Sequence, residues 1–301
     1  MKKCPIILLI LSICLLLVGC GKVEEKNFKI VASCYPVYIS TLNIVKDIPG
    51  VEVVNMCENN VGCLHNFQLK SEDLKKIEKS SVFVINGAGM ESFLDKILEE
   101  LPKVQIIDSS SGIELLEEEH EHECSKECHH HHEYNPHIWM SVSNYIKQVE
   151  NISENLKRID SVHSESYERN ARLYIDKLQN LKKNISDRLS LVQNKNIITF
   201  HEAFSYFAKE FGLNILGVIN QHPEEEPDMK DIKEIIQVIK QNDIKSVFAE
   251  TQYPIETVNI IASETNAKVY TLDSAVTGEN DANSYLNAME ENLKVLTEAL
   301  K

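Results

Sequence analysis

The sequence predicts an α/β protein of two lobes, each a parallel sheet flanked by helices, joined by one long rigid backbone helix, with a ligand site in the interlobe cleft. Three observations carry this. From residue 28, short β-branched runs alternate with helical stretches, the pattern of a parallel sheet covered on both faces. The same alternation returns after residue 195. Between the two, Tyr167, Ala171, Tyr174, Leu178, Leu181, Ile185 and Val192 recur at steps of three and four, Leu189 filling the one longer step, and no glycine or proline interrupts. That is one apolar face of a helix about 30 residues long. A coiled-coil dimer is the alternative; one helix lying along both lobes needs less and leaves the chain a monomer.

Taken in order, the chain opens with Lys2 and Lys3, an apolar run from Pro5 to Val18, then Gly19 and Cys20. The run is too short to span a membrane comfortably as a mature helix and reads as a signal peptide over 1–19. Leu17-Val18-Gly19-Cys20 resembles a bacterial lipobox, which implies cleavage before Cys20, a lipid on its thiol, a polar tether over 20–27 and a location on the extracytoplasmic face of the membrane. The N-terminal lobe then runs over 28–160, the linking helix over 161–194 and the C-terminal lobe over 195–301. Strands are expected at 28–33, 51–56, 81–86 and 103–108 in the first lobe, and at 196–200, 213–218, 246–250 and 268–273 in the second. Helices are expected near 36–47, 71–79 and 91–100, then 202–211, 228–241, 255–265 and 281–299.

A formal net charge of -15 over 301 residues argues against a nucleic-acid partner, which calls for basic surface. It suits the attraction of cations, although a solvated acidic surface is the commoner cause. Of eight cysteines, Cys4 and Cys14 leave with the leader and Cys20 is acylated. Cys34, Cys57, Cys63, Cys124 and Cys128 remain. In an oxidising exterior Cys57 with Cys63 and Cys124 with Cys128 are the expected bridges; an anaerobic host would leave them reduced.

Ligands of parallel α/β sheets bind outside the carboxyl ends of the strands. His201 follows the strand at 196–200, Asp273 ends the strand at 268–273, His65 lies in the loop after 51–56, and His137 directly precedes a helix start. Any one of them alone would more often be a hydrogen-bonded structural residue. Two from each lobe is what a metal site in the cleft requires. A different cluster, at 119–133, holds His120, His122, Cys124, Cys128, His129, His130, His131 and His132 among five glutamates. Adjacent side chains without an apolar period present no fixed tetrahedron.

The motifs "IVASCYPVY", "NGAGMESF", "NPHIWMS", "FHEAFSYFAKEFGL", "PEEEPDMKDIKEIIQVIK" and "KVYTLD" resemble, in order along the whole mature chain, those of the substrate-binding lipoproteins of zinc and manganese ABC importers. The resemblance implies His65, His137, His201 and Asp273 as metal ligands, zinc as the transported ion with manganese or iron as the alternative, and an ABC permease as partner. It makes the loop at 117–133 an auxiliary zinc collector or sensor; a solvated disordered loop is the plainer reading. Three imidazoles and a carboxylate suit zinc, and family members with histidine at the position of His201 more often take zinc. Around His65 this chain departs from the family, with Leu64 and Asn66 flanking it and Cys57 and Cys63 intruding. Glu202 and Glu250 are candidates for orienting imidazoles. An enzyme is not expected, because no HExxH, nucleophile elbow or phosphate loop is present. A zinc hydrolase and a surface metal buffer or adhesin are the remaining rivals.

Overall fold

The computed structural model describes residues 27–57, 67–94, 104–117, 134–220 and 227–301. The signal peptide, Cys20, His65, Cys63 and the histidine cluster from His120 to His132 lie outside them.

In the first lobe β1 (Phe28–Ala32), α1 (Tyr35–Val45), β2 (Val51–Asn55), α2 (Ser71–Glu78), β3 (Val82–Ile85) and β4 (Gln105–Asp108) alternate as expected. The strands pair in parallel in the order β2-β1-β3-β4. Two long helices follow, α3 (Val142–Ile159) and α4 (Ser164–Leu189). In the second lobe β5 (Asn196–Thr199), α5 (Ser205–Phe211), β6 (Asn214–Val218), α6 (Met229–Gln241), β7 (Ser246–Glu250), α7 (Glu256–Thr265) and β8 (Lys268–Leu272) repeat the arrangement in the order β6-β5-β7-β8, and α8 (Ser284–Ala299) closes the chain. In both sheets the direction of winding reverses beside the first strand, between β1 and β3 and between β5 and β7, so each has a crevice at its carboxyl end.

Local chemistry starts and stops these elements. The Ser141 hydroxyl accepts from the Asn144 amide and caps α3, and Asp228 accepts from the amides of Lys230 and Asp231 at the start of α6. Gly212, in the left-handed conformation with φ 68°, ends α5. Of the stretch expected to be helical at 91–100, the described part is a 3-10 turn over Ser92–Leu94. Residues 202–204 form a similar turn before α5.

The stripe of α4 is buried at Tyr167, Ala171, Tyr174, Leu178, Leu181, Ile185 and Leu189, and the helix packs on α1, α3 and α8 of its own chain. The apolar face is therefore consumed within the chain, and the coiled-coil alternative loses its motive. Val192 lies past the last turn and is half-buried. One core runs from Ile30 in β1 through α3 and α4 to Phe248 and Leu272 in the second sheet; a smaller one fills the space beneath α6 and α7. Among the described residues no helix is long and apolar enough to cross a membrane.

Cys57 is a free, buried thiol that donates to the Ser33 carbonyl at 3.4 Å, as the reduced alternative has it; Cys63, its expected partner in an oxidising exterior, lies outside the described residues. Burial first, and then the Asp73 charge, pushes its pKa up to about 12. Burial likewise raises the pKa of Cys34. Neither is a nucleophile at neutral pH.

Candidate metal centre

His201 stands two residues beyond β5, in extended conformation, and is 3% exposed. Its amide donates to Glu250 Oε1 at 3.1 Å, and its Nδ1 lies 3.5 Å from the same oxygen. Glu250 ends β7 and is itself buried. Because β5 and β7 are paired neighbours, histidine and carboxylate meet at the crevice of the second sheet. Glu250 thus stands beside the imidazole, where an orienting role is expected, and bonds the backbone of the same residue. Glu202 contributes its backbone carbonyl instead, accepting from Asn135 Nδ2 and Ser205 Oγ.

His137 is 1% exposed and precedes a 3-10 turn over Ile138–Met140. Asn135 Oδ1 accepts its amide at 3.0 Å and faces its Nδ1 at 2.9 Å. An amide oxygen only accepts, so Nδ1 carries a proton, which leaves Nε2 as the ring nitrogen available to a metal. This turn was legible in principle, since asparagine two residues ahead of a backbone amide, followed by proline, is an Asx-turn signal.

The segment around His137 belongs to the first lobe by sequence but is clamped to the second. Tyr206 donates to the Asn135 carbonyl at 2.8 Å, Trp139 Nε1 to the Ser274 carbonyl at 2.9 Å and Tyr285 to the Trp139 carbonyl at 2.8 Å. The result brings two of the four expected ligands together. The rings of His137 and His201 are edge to face, centroids 4.6 Å apart and planes at 84°. Asp273 follows β8, half-buried, its Oδ1 accepting from the Ala275 amide at 2.8 Å and from Gln252 Nε2 at 3.4 Å, with Asn292 holding both its backbone groups. Since β7 separates β5 from β8, two strand spacings, about 10 Å, divide the backbone at the two strand ends. Among the described residues no group of three or more histidine, cysteine, aspartate and glutamate side chains is placed to hold an ion as it stands.

Residues 30–299 match the family described as zinc-uptake complex component A, periplasmic, or ZnuA. The chain belongs to the ZnuA family. It is 32% identical over 309 residues to the zinc-binding lipoprotein AdcA of Streptococcus pneumoniae, covering 98% of this chain but 60% of that protein. It is 30% identical to the high-affinity zinc uptake system protein ZnuA of Bacillus subtilis, covering 97% of each. Its fold superposes on the binding protein FpvC of Pseudomonas aeruginosa in complex with Mn2+ with a TM-score of 0.79 at 29% identity, over 91% of this chain and 98% of that one. ZnuA-family chains are binding components of transport systems.

In this ZnuA-family chain the crevice of the first sheet holds a carboxylate of its own. Glu91, 4% exposed, accepts from Ser33 Oγ at 2.5 Å and the amides of Asn86 at 2.8 Å and Gly87 at 3.0 Å. Burial is the largest influence on it and the three donors oppose it; Asp108 adds repulsion, and the balance raises its pKa to about 7. Cys34 and Cys57 also face it, both held neutral by burial. The folded value lies above the unfolded one, so the stability Glu91 contributes is complete below about 4.5 and is lost as pH rises through about 7. With a chelator present, urea unfolding from pH 4.5 to 7.5 should therefore find wild type losing on the order of 2–3 kcal/mol relative to Glu91→Gln. A difference that does not change with pH would mean that Glu91 ionises at the same pH in both states.

Proposed function

We propose that this chain captures zinc outside the cytoplasm and delivers it to the permease of an ABC importer, tethered to the membrane through a lipid on Cys20. The observation that carries this reading is the pair His137 and His201, one from each lobe, edge to face at 4.6 Å, each with Nδ1 turned to an oxygen of its own chain. Two imidazoles so oriented are half of a tetrahedral zinc shell. His65 and Asp273 complete it. Zinc is favoured by three nitrogens with a single carboxylate and by the names of the relatives, among them a zinc-binding lipoprotein and a high-affinity zinc uptake protein. The chain spans 60% of the first of these, so the further activities of that longer protein are not carried over. Manganese is the second reading, because the FpvC complex holds Mn2+. The cluster from His120 to His132 with Cys124 and Cys128 acts as a weaker auxiliary collector.

Calorimetric titration of the mature chain with zinc tests the reading. One tight ion per chain is expected, with weaker sites that disappear when residues 119–132 are deleted while the tight one persists. Loss of the tight site in the folded deletion would make the loop a source of primary ligands. Tighter manganese than zinc binding would reverse the metal assignment.

A further inference from the structure

Winding reversals in open parallel sheets are where such folds receive their ligands. The crevice between β1 and β3 is instead filled from within: Glu91 spans it, bonded to Ser33 beyond β1 and to Asn86 and Gly87 beyond β3. The side chain of Asn86, fully buried, extends this network outward. Its Nδ2 donates to the Pro136 carbonyl at 2.9 Å and to the Gly87 carbonyl at 3.0 Å, and its Oδ1 accepts from Gln148 Nε2 at 3.0 Å. Gln148, from α3, also reaches Ser109 Oγ at 2.8 Å, and Ser109 donates back to the Asn86 carbonyl at 3.0 Å. The Gly87 carbonyl and Gln148 of α3 therefore fix one carboxamide, and that carboxamide holds the peptide unit whose nitrogen belongs to His137.

We propose that Asn86 is a positioning residue for His137, held in place by Glu91 and Gln148, so that the motif "NGAGMESF" serves the metal site through the backbone rather than by touching the ion. The physical reason lies in what each partner constrains. Asn135 sets the tautomer and rotation of the His137 ring, but a ring can be correctly rotated on a misplaced backbone. Pro136 has no amide proton, and among the described residues its carbonyl otherwise accepts within its own turn, from Ile138 at 2.8 Å. The bond from Asn86 ties that turn to the first sheet, while Tyr206, Trp139 and Tyr285 tie its surroundings to the second lobe. The position of His137 relative to both sheets is thereby determined from both sides.

This rests on His137 being a ligand, and the test separates the two claims. Zinc affinity by competition with a chromophoric chelator, and the visible absorption of the cobalt-substituted protein, are compared for wild type, His137→Ala, Asn86→Ala and Gln148→Met, with circular dichroism of each metal-free form. Partners that orient metal ligands typically contribute 10–100-fold in affinity, so Asn86→Ala should lose about that much and change the intensity of the cobalt bands. Gln148→Met, which leaves Asn86 in place but without its lateral support, should move both readouts in the same direction and by less. Should Asn86→Ala fail to fold, Gln148→Met decides. Wild-type affinity in His137→Ala would overturn the ligand assignment. Loss in His137→Ala alongside wild-type affinity and an unchanged cobalt spectrum in the folded Asn86 and Gln148 variants would overturn the positioning role alone.

Discussion

Replacing His201 by alanine is expected to abolish metal-dependent stabilisation of the whole chain. His201 and His137 come from different lobes and stand 4.6 Å apart, so an ion bound by both ties the lobes together and stabilises the native state by mass action. With free zinc about 100 times above the dissociation constant, that stabilisation is about 2.7 kcal/mol, and thermal melts of the variant with and without zinc should coincide. The metal-free variant will also be weaker than metal-free wild type. Glu250 is 3% exposed and keeps the backbone amide of residue 201 but loses the ring beside it, and an under-satisfied buried group costs about 1–3 kcal/mol. The double variant His201→Ala with Glu250→Gln should recover part of that loss without recovering zinc binding. A zinc-dependent rise in melting temperature in His201→Ala equal to that of wild type would remove His201 from the site.

The second large effect is expected at Gly87. Its φ is +78°, and a Cβ there would lie 2.1 Å from Asp108 Oδ1, 2.4 Å from Ser110 Oγ and 2.9 Å from Asp108 Cγ. Asp108 cannot simply swing aside, because the same Oδ1 accepts from the amide and the hydroxyl of Ser110. Left-handed backbone and overpacking each contribute roughly 1–3 kcal/mol, so Gly87→Ala should destabilise by about 2–6 kcal/mol in urea unfolding. Gly89 is the internal control: its φ is +84°, yet nothing lies within 4 Å of its missing Cβ, and Gly89→Ala should cost only the backbone penalty, about 1–2 kcal/mol. Equal losses at the two positions would show that the close approach of β4 to Gly87 does not matter. Because the Gly87 amide is also a donor to Glu91, the Gly87 variant should lose zinc affinity as well as stability.

Much of this molecule was legible from its residues alone. The parallel sheets followed from β-branched runs separated by helical periods, a local pattern that any buried strand or amphipathic helix must show. The seam of α4 followed from its steps of three and four, and Leu189 proved to belong to that seam rather than merely to fill a gap in it. His201 and Asp273 could be singled out because a residue just past a strand in such a sheet is at its functional edge, and His137 because it directly precedes a helix start. What lay beyond the sequence were the choices made by distant partners. The crossing of the His137 segment to the second lobe depends on bonds to Tyr206, Ser274 and Tyr285, partners between 71 and 146 residues away. Filling of the first crevice by Glu91 depends on strand order, which places Ser33 and Asn86 side by side although 53 residues separate them. The distinction between Glu202 and Glu250, two acidic residues equally plausible by type, was made by the pairing of β5 with β7. Periodicity reports which face of an element is apolar; it carries no information on which elements become neighbours, and a buried polar network is satisfied or not only once those neighbours have been chosen.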